Sequence, residues 1–388
     1  MNHTTLYFVF LIYAGAALLS TIALYTRQSL LVAYMALGAL FGPWGLKLLQ
    51  DSVMIKQSGD IGIIFLLFLL GLHLQPQNLL HSLRKLSWIA LISSLTFLAI
   101  GFSVSYAFHF TLTESIIIGV ATMFSSTIIG LKLLPTTVMH HQHSGELMIS
   151  ILLLQDIIAI AAILVLHGIA DRAFSFKDLG IIISAFPVLL IVAYVFQRYV
   201  LAKLLQSFDQ IHEYIFILSI GWCLTMAEIS HYMSLTEEIG AFIAGVALAT
   251  NPISLYIAES LKPLRDFFLV LFFFAIGAGF DFSYLPDVIW PAAILAGMIL
   301  VIKPMTFAWL FNRSGETKEI SWEVGSRLGQ SSEFSLLLIY FALQIKIVSP
   351  AANYMVQAAT ILTFIVSCYW VTFRYPTPLA SNDILRRD

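Results

Sequence analysis

An acidic residue stands in the middle of an aliphatic segment, ILLLQDIIAI, at residues 151–160. A carboxylate in the hydrocarbon of a bilayer is costly, and residues of this kind are rare and usually functional. The oxygens of Asp156 are hard ligands for a small monovalent cation, and the same carboxyl group can hold a proton instead. Because the two ions compete for one group, Asp156 predicts an ion-binding site. The alternative is a structural acid that pairs with Lys303 or Arg327.

Two other segments place consecutive hydroxyl residues within long apolar runs: MFSSTIIG at 123–130 and LGQSSEFS at 328–335. Hydroxyl groups there can satisfy backbone groups that a helix break releases, although small residues also serve close helix packing. The segments favour two interrupted helices, whose ends carry partial charges that ionised side chains compensate. The predicted ion cage comprises Asp156 as the metal-ion ligand with Gln155, Thr127, Ser126 and Ser125, and the predicted charge-compensating residues are Lys303, Glu333 and Arg327.

Membrane-spanning helices must position such residues, and the composition of the chain supports the presence of these helices. Of the 388 residues, 59% are hydrophobic and 11% are charged, whereas soluble domains carry about 25% charged residues. The mean hydropathy is +0.90. We predict an all-α polytopic membrane protein of about thirteen transmembrane helices, since each crossing needs about 20 residues. They lie near residues 5–26, 29–46, 59–76, 86–108, 113–134, 145–169, 178–201, 211–232, 235–250, 264–282, 287–311, 322–345 and 350–373.

The chain repeats itself at a nearly constant offset. Three pairs of segments match 206 or 207 residues apart: 32–42 with 239–249, 65–76 with 271–282, and 124–130 with 330–336. This offset carries the second predicted span onto the ninth, seven crossings later, so the copies are inverted relative to each other. We predict inverted repeats over about 29–170 and 235–373. Inverted repeats with broken helices at the midplane are typical of secondary transporters.

Charge distribution predicts the orientation and excludes several classes of function. The predicted inner connections hold thirteen Lys and Arg residues and the outer ones five, which places the amino terminus outside and the carboxyl terminus in the cytoplasm. A net charge of −2 without a basic stripe argues against nucleic acid as a partner. No nucleophile with a nearby base stands in mid-span, so we expect no enzyme, and no cofactor motif is visible.

The sequence resembles the monovalent cation:proton antiporter-2 family, and within it the Kef-type potassium efflux proteins. The resemblance spans nearly the whole chain. It is carried by GPWGLKLL (42–49), IGIIFLLFLLGLHLQP (61–76), FSSTIIG (124–130), LLLQDIIAI (152–160), IGAFIAGVAL (239–248), FFFAIGAGFDF (272–282) and GQSSEFS (329–335).

The resemblance implies a fold similar to that of sodium/proton antiporters, with two crossed discontinuous helices in a core part that moves as an elevator. The whole of 1–388 would form one membrane transporter domain and a homodimer in the cell membrane. Its dimerisation part would cover about 1–82 and 211–285, and its core part about 84–170 and 287–373. Asp156 matches the ion-binding aspartate of the family, Gln155 stands where electrogenic relatives hold a second aspartate, and Lys303 matches the core lysine.

The resemblance also bears on regulation. Kef proteins carry a cytoplasmic nucleotide-binding domain, and a regulatory domain or subunit is therefore a candidate partner. The segment 255–268 resembles their acidic regulatory loop and keeps Glu259, but Leu261 and Lys262 stand where acidic residues are expected. Glutathione gating is therefore not expected. The histidines of HHQH, in a predicted inner loop, could sense pH because histidine titrates near neutrality, or bind a metal; they are His140, His141 and His143.

The resulting interpretation is a monovalent cation/proton antiporter that exchanges K⁺ or Na⁺ for H⁺. With Asp156 as the one titratable acid of its QD pair, each half-cycle moves the same net charge, and we expect electroneutral exchange unless Lys303 also releases a proton. One alternative is a gated potassium efflux channel, although no TVGYG-like filter segment is present. Another is a non-transporting membrane sensor in which Asp156 is structural.

Overall fold

The computed structural model describes residues 5–49, 52–73, 76–132, 142–170, 187–208, 211–233, 235, 237–251 and 253–377. These ranges contain sixteen α-helices, the eighth of which includes a π-helical segment at Gln197–Leu201, and a short 3-10 helix at Phe282–Tyr284. The helices are α1 (Thr5–Tyr25), α2 (Leu30–Phe41), α3 (Ser52–His73), α4 (Pro76–Ala107), α5 (Leu112–Thr122), α6 (Thr127–Lys132), α7 (Gln142–Ala170), α8 (Pro187–Ser207), α9 (His212–Tyr232), α10 (Glu237–Ala249), α11 (Ser254–Ser260), α12 (Lys262–Ala278), α13 (Leu285–Arg313), α14 (Lys318–Arg327), α15 (Glu333–Gln344) and α16 (Pro350–Arg374).

Seven stretches among the described helices are long and apolar enough to cross a bilayer. They are Leu6–Tyr25, Leu86–Ala107, His143–Ile163, Pro187–Ser207, His212–Tyr232, Phe282–Arg313 and Pro350–Arg374. Four shorter apolar helices accompany them, among them α5 and α15. The predicted all-α multi-pass membrane class is confirmed, while the total of thirteen spans and the inversion of the repeats stay predictions.

The chain divides into two compact units. Unit 1 comprises Met1–Tyr13, Gly38–Leu80 and Leu164–Ala278. Within it α3 packs against α10 and α12. A Cβ atom at Gly71 would collide with the Phe242 carbonyl group of α10, and one at Gly245 would collide with that of Phe68. These two glycines therefore let α3 and α10 approach backbone to backbone, as small residues do in membrane helix pairs.

Unit 2 comprises Ala14–Leu37, His81–Ile163 and Gly279–Asp388. Its central helix is α16, which packs against α5, α13, α14 and α15. The rings of Phe97 and Phe307 make an edge-to-face contact at 5.3 Å between centroids, and both side chains are buried. The interior of this unit also holds many polar groups, including Lys303, Asp156 and Glu333. Buried polar groups at such density have to be bonded to one another or to the backbone.

Both hydroxyl-rich spans are interrupted, as predicted. The span expected at 113–134 consists of α5 and α6, separated by residues 123–126, and the span expected at 322–345 consists of α14 and α15, separated by residues 328–332. All four short helices belong to unit 2.

A candidate ion-binding site at two helix breaks

The first break follows α5 and is held by hydroxyl groups. Thr122, the last residue of α5, donates a hydrogen bond from Oγ1 to the Phe97 carbonyl oxygen at 2.9 Å. The hydroxyl of Ser126 then accepts from the Ile129 amide at 3.2 Å and caps the start of α6. Small polar side chains thus replace the intrahelical bonds that the break removes, which is the local reason why this apolar run can leave the helical conformation.

The second break follows α14 and uses the same chemistry. Ser332 is the N-cap of α15, with its hydroxyl accepting from the Phe334 amide at 3.1 Å. The hydroxyl of Ser335 accepts a second hydrogen bond, from the Ser332 amide, at 3.3 Å. The Ser331 amide donates to Thr363 Oγ1 of α16 at 3.1 Å. The break is therefore anchored both within its own span and to the central helix of the unit.

The two breaks cross and are joined directly. Ser125 Oγ donates to the Leu328 carbonyl oxygen at 2.8 Å. Gln330 Nε2 donates to the Ser126 carbonyl oxygen at 3.5 Å, and its Oε1 accepts from Ser367 Oγ at 3.0 Å. These contacts bring residues about two hundred positions apart into one polar centre.

Lys303 lies at this crossing with its side chain fully buried. Its ammonium group donates to the Phe124 carbonyl oxygen at 2.6 Å and to the Gln330 carbonyl oxygen at 3.3 Å. Nζ also lies 4.9 Å from the ring centroid of Phe97. The two carbonyl groups belong to the segments just beyond the carboxyl ends of α5 and α14, where the helix dipole is negative. One cation thus bonds both breaks.

Asp156 lies on α7 and is 2% exposed. Its carboxyl group is close enough to that of Glu333 for the two charges to interact. Glu333 is 3% exposed and begins α15, at the positive end of that helix. The crossing therefore brings together two buried carboxyl groups as well as the buried ammonium group of Lys303.

The neighbouring Gln155 is fully engaged with the first break. Its Oε1 accepts from the Ser125 amide at 3.1 Å, and its Nε2 donates to the Met123 carbonyl oxygen at 3.2 Å. Ser125 and Ser126 lie within the break itself, and the side chains of Gln155, Ser125 and Ser126 are each bonded to protein groups. The hydroxyl of Thr127 differs, because it is buried without a hydrogen-bond partner among the described residues. Of the four uncharged residues of the predicted cage, Thr127 is the one whose side-chain oxygen lacks a partner within the described ranges.

Arg327 is placed differently from Lys303. It is 1% exposed, and its guanidinium group donates to Glu323 Oε1 at 2.9 Å and to the Pro376 carbonyl oxygen at 2.9 Å. The ring of Tyr375 lies 5.7 Å away. Arg327, the last residue of α14, therefore forms an ion pair with Glu323 of the same helix. This pairing does not match the alternative in which Arg327 pairs with Asp156.

The structure describes two of the residues considered for regulation, His143 and Glu259. His143 Nε2 is 2.8 Å from Glu316 Oε2 and is 46% exposed. Glu259 is exposed on α11, and His140 and His141 lie outside the described residues. Among the residues that the structure describes, no three His, Cys, Asp or Glu side chains gather as a metal site would require.

Several polar residues at the crossing were not predicted as site residues. Gln330 joins the two breaks, Thr363 accepts from the second, and Ser335 donates to the Ala121 carbonyl group of α5. The signal available in the sequence was an uncharged polar residue within an apolar span. That signal is weak for each residue alone, because many such residues bond only their own helix.

Comparisons with known proteins agree with this architecture. A family model described as "Sodium/hydrogen exchanger, transmembrane" matches residues 10–373. K(+) efflux antiporter 4 of Arabidopsis thaliana is 26% identical over 357 residues, which cover 88% of this chain and 59% of that protein. K(+) efflux antiporter 5 of the same plant is 26% identical over 358 residues, covering 88% and 61% respectively. The chain thus spans about three-fifths of the length of these curated relatives.

The fold is similar to that of a solved antiporter. The structure of the sodium proton antiporter MjNhaP1 from Methanocaldococcus jannaschii at pH 8 superposes with a TM-score of 0.67 at 17% sequence identity. The match covers 93% of this chain and 94% of that one. The family model covers nearly the whole described membrane region. The chain belongs to the sodium/hydrogen exchanger transmembrane family.

Proposed function

We propose that this protein exchanges a monovalent cation, K⁺ or Na⁺, for protons across a membrane. The observation that carries the proposal is the polar crossing of unit 2, where Asp156 is buried beside two helix breaks that Lys303 bonds together. The names of the relatives, K(+) efflux antiporters and a sodium proton antiporter, support the same class of substrate. The cation is the transported substrate, and no cofactor is needed for this exchange.

Asp156 holds the cation and the proton in turn. When the carboxyl group is ionised it binds the cation, helped by the hydroxyl of Thr127, which has no other partner in the described part of the chain. When it is protonated the cation loses its main ligand. Lys303 and Glu333 compensate the opposite helix ends that the breaks bury, so the site tolerates both states. Gln155 keeps the backbone of the first break in place beneath the ion.

Alternating access follows from motion of the part that carries the ion. The division of the chain into two units supports a dimerisation part and a core part, since Asp156, Thr127 and Lys303 all belong to unit 2. We infer that the core part moves across the membrane as an elevator while the dimerisation part of a homodimer stays in place. We also infer a cell-membrane location with the amino terminus outside and the carboxyl terminus in the cytoplasm, because Lys and Arg concentrate on that side.

The first test is removal of the carboxyl group. In proteoliposomes with an imposed pH gradient, the wild-type protein should exchange protons for K⁺, Na⁺ or Rb⁺, and Asp156→Asn should lower the rate at least about a hundredfold, because the amide cannot carry a proton. The matched control is Glu228→Gln, which neutralises an exposed carboxyl group on α9 and should leave exchange unchanged.

Three outcomes would contradict the proposal. Full exchange by a well-folded Asp156→Asn protein would remove Asp156 from the mechanism. Cation flux that needs no counter-movement of protons would indicate a channel, and absence of any flux from the wild-type protein with every cation would favour a sensor.

A further inference from the structure

The central helix of unit 2 carries a buried line of polar side chains. We name these residues the α16 polar stripe: Asn353, Gln357, Thr360, Thr363 and Ser367. Each is at most 3% exposed. Their spacing of three or four residues places them on one side of the helix. Most of the other buried side chains of α16, such as Met355 and Phe364, are apolar, so the stripe is a distinct feature of an otherwise apolar helix.

One end of the stripe is bonded to the candidate ion site. Thr363 Oγ1 accepts from the Ser331 amide at 3.1 Å. Ser367 Oγ donates to Gln330 Oε1 at 3.0 Å. Gln330 in turn reaches the first break through the Ser126 carbonyl oxygen. The stripe is therefore continuous with the polar centre at which Lys303 and the two breaks meet.

The other end of the stripe approaches the surface of the unit. Asn353 Oδ1 accepts from Gln357 Nε2 at 3.2 Å. One turn before Asn353, the Ser349 amide donates to Glu114 Oε1 at 2.9 Å, and Pro350, the first residue of α16, is exposed. From Asn353 to Thr363 the helix rises roughly 15 Å, at 1.5 Å per residue. The stripe thus joins the ion site to the Pro350 end of α16.

Two atoms in the middle of the stripe are unpartnered. Gln357 Oε1 and Thr360 Oγ1 are buried and have no hydrogen-bond partner within the described ranges. Interchanging the oxygen and nitrogen positions of the Gln357 amide would still leave one of the two atoms without a hydrogen-bond partner. Adjacent unpartnered polar atoms in an apolar interior are costly, and ordered water is the usual group that satisfies them.

We propose that the α16 polar stripe binds a file of water molecules through which protons pass between the Pro350 end of α16 and the ion site. This inference rests on the proposed function for its proton-transfer part. The unpartnered Thr360 hydroxyl can both donate and accept hydrogen bonds, so it can bond waters of the file in either direction, while Thr363, which donates to the Thr360 carbonyl group and accepts from the Ser331 amide, anchors the stripe to the second break. The stripe contains no carboxylate to bind a metal ion.

The water file is tested by chemical accessibility, which does not depend on transport. Cys223 and Cys368 are first replaced by serine in the full chain. A single cysteine is then introduced by Thr360→Cys. The control is Met355→Cys, because Met355 is equally buried but lies on the opposite side of α16. The reconstituted proteins are exposed to Ag⁺, an ion of about the size of water, then unfolded and alkylated. Ag⁺ should protect the cysteine at 360 from alkylation within minutes and leave the one at 355 unprotected. Equal protection at both positions, or at neither, would overturn the water file.

The proton route is tested by isosteric variants. Thr360→Val and Gln357→Leu should slow proton-coupled exchange at least about tenfold in proteoliposomes, while the stabilisation of the folded protein by saturating cation stays the same. Thr360→Ser, which keeps the hydroxyl group, should restore the rate, and Met355→Leu should not change it. Unchanged exchange in Thr360→Val, despite protection of the cysteine at 360, would overturn the proton route. Absence of exchange by the wild-type protein would instead count against the proposed function. The Ag⁺ result would still decide whether the stripe holds water.

Discussion

At the scale of single residues, the site separates side chains that hold the backbone from those that remain available to an ion. Gln155 was predicted as part of the ion cage, but both ends of its amide are bonded to Met123 and Ser125. We therefore interpret Gln155 as a positioning residue. Thr127 keeps a buried hydroxyl without a partner in the part of the chain described, and such a group is costly unless a ligand satisfies it.

The role of Thr127 predicts a selective effect on the cation. Thr127→Val removes one ligand oxygen at nearly constant volume, so the apparent KM for the cation should rise about tenfold, equivalent to about 1.4 kcal/mol. The maximal rate should change little, because Asp156, the proposed proton carrier, is unchanged. Thr127→Ser, which keeps the hydroxyl, should retain the wild-type KM. The measurement is the initial exchange rate against cation concentration at fixed pH, and an unchanged KM in Thr127→Val would exclude the hydroxyl as a ligand.

Lys303 predicts an effect on stability. Lys303→Met keeps an unbranched side chain of similar length but leaves the Phe124 and Gln330 carbonyl groups without their charged donor. The free energy of unfolding should fall by about 3 kcal/mol, since hydrogen bonds to charged groups contribute about 1.5–3 kcal/mol each. The exposed Lys318→Met variant is the control and should change it by at most about 0.5 kcal/mol. Thermal unfolding in detergent measures both, and equal midpoints for the two variants would show that Lys303 does not stabilise the breaks.

At the scale of elements, the breaks depend on each other. Hydrogen bonds run in both directions between α5–α6 and α14–α15: Ser125 donates across to the Leu328 carbonyl group, and Gln330 donates across to the Ser126 carbonyl group, which also accepts from the Gly130 amide. α16 supports the second break through Thr363. Non-helical backbone at membrane depth is tolerated where protein groups bury and bond it, and here each break supplies those groups to the other.

This mutual support predicts coupling between Gln330 and Ser367. Their side chains share one hydrogen bond of 3.0 Å, so a double-mutant cycle of Gln330→Leu and Ser367→Ala should give a coupling energy of about 1 kcal/mol in unfolding free energy. Ser105→Ala, whose hydroxyl bonds only its own helix, supplies the uncoupled comparison with Gln330→Leu. Additive effects in the first cycle would mean that this bond does not form in solution.

At the scale of the whole molecule, the net charge moved in each cycle of the proposed exchange follows from how many protons the site exchanges. The crossing holds Asp156 and Glu333 as buried carboxyl groups and Lys303 as a buried cation. If Asp156 alone changes partner, one proton replaces one monovalent cation and the net charge moved is the same in both half-cycles. Glu333 and Lys303 then keep their charges throughout.

This stoichiometry predicts exchange that is insensitive to voltage. A transmembrane potential of 100 mV is worth about 2.3 kcal/mol per net charge moved, so an electrogenic cycle should respond severalfold. Proteoliposomes in which an ion that is not transported sets the potential should show rates unchanged within about 20% of the zero-potential rate. A severalfold dependence would mean that a second group, with Lys303 as the first candidate, also exchanges its proton.

The sequence by itself determined the all-α membrane class and the two interruptions. These features are local: hydrophobic length predicts a span, and consecutive hydroxyl residues within it predict a place where the backbone can leave the helix. Asp156 and Lys303 were recognisable for a related reason, because a charge inside an apolar run is rare.

Only the tertiary structure decided what each polar side chain does at the crossing. Ser125 and Thr127 are both hydroxyl residues in the same segment, yet the Ser125 hydroxyl is bonded to a backbone carbonyl group and the Thr127 hydroxyl has no partner among the described residues. The buried pairing of Arg327 with Glu323 and the Pro376 carbonyl group, and the joining of the breaks by Gln330, likewise arise from residues brought together by packing. Hydrogen bonds depend on distance and direction at the scale of a few tenths of an ångström, and no pattern of residue types along the chain contains that information.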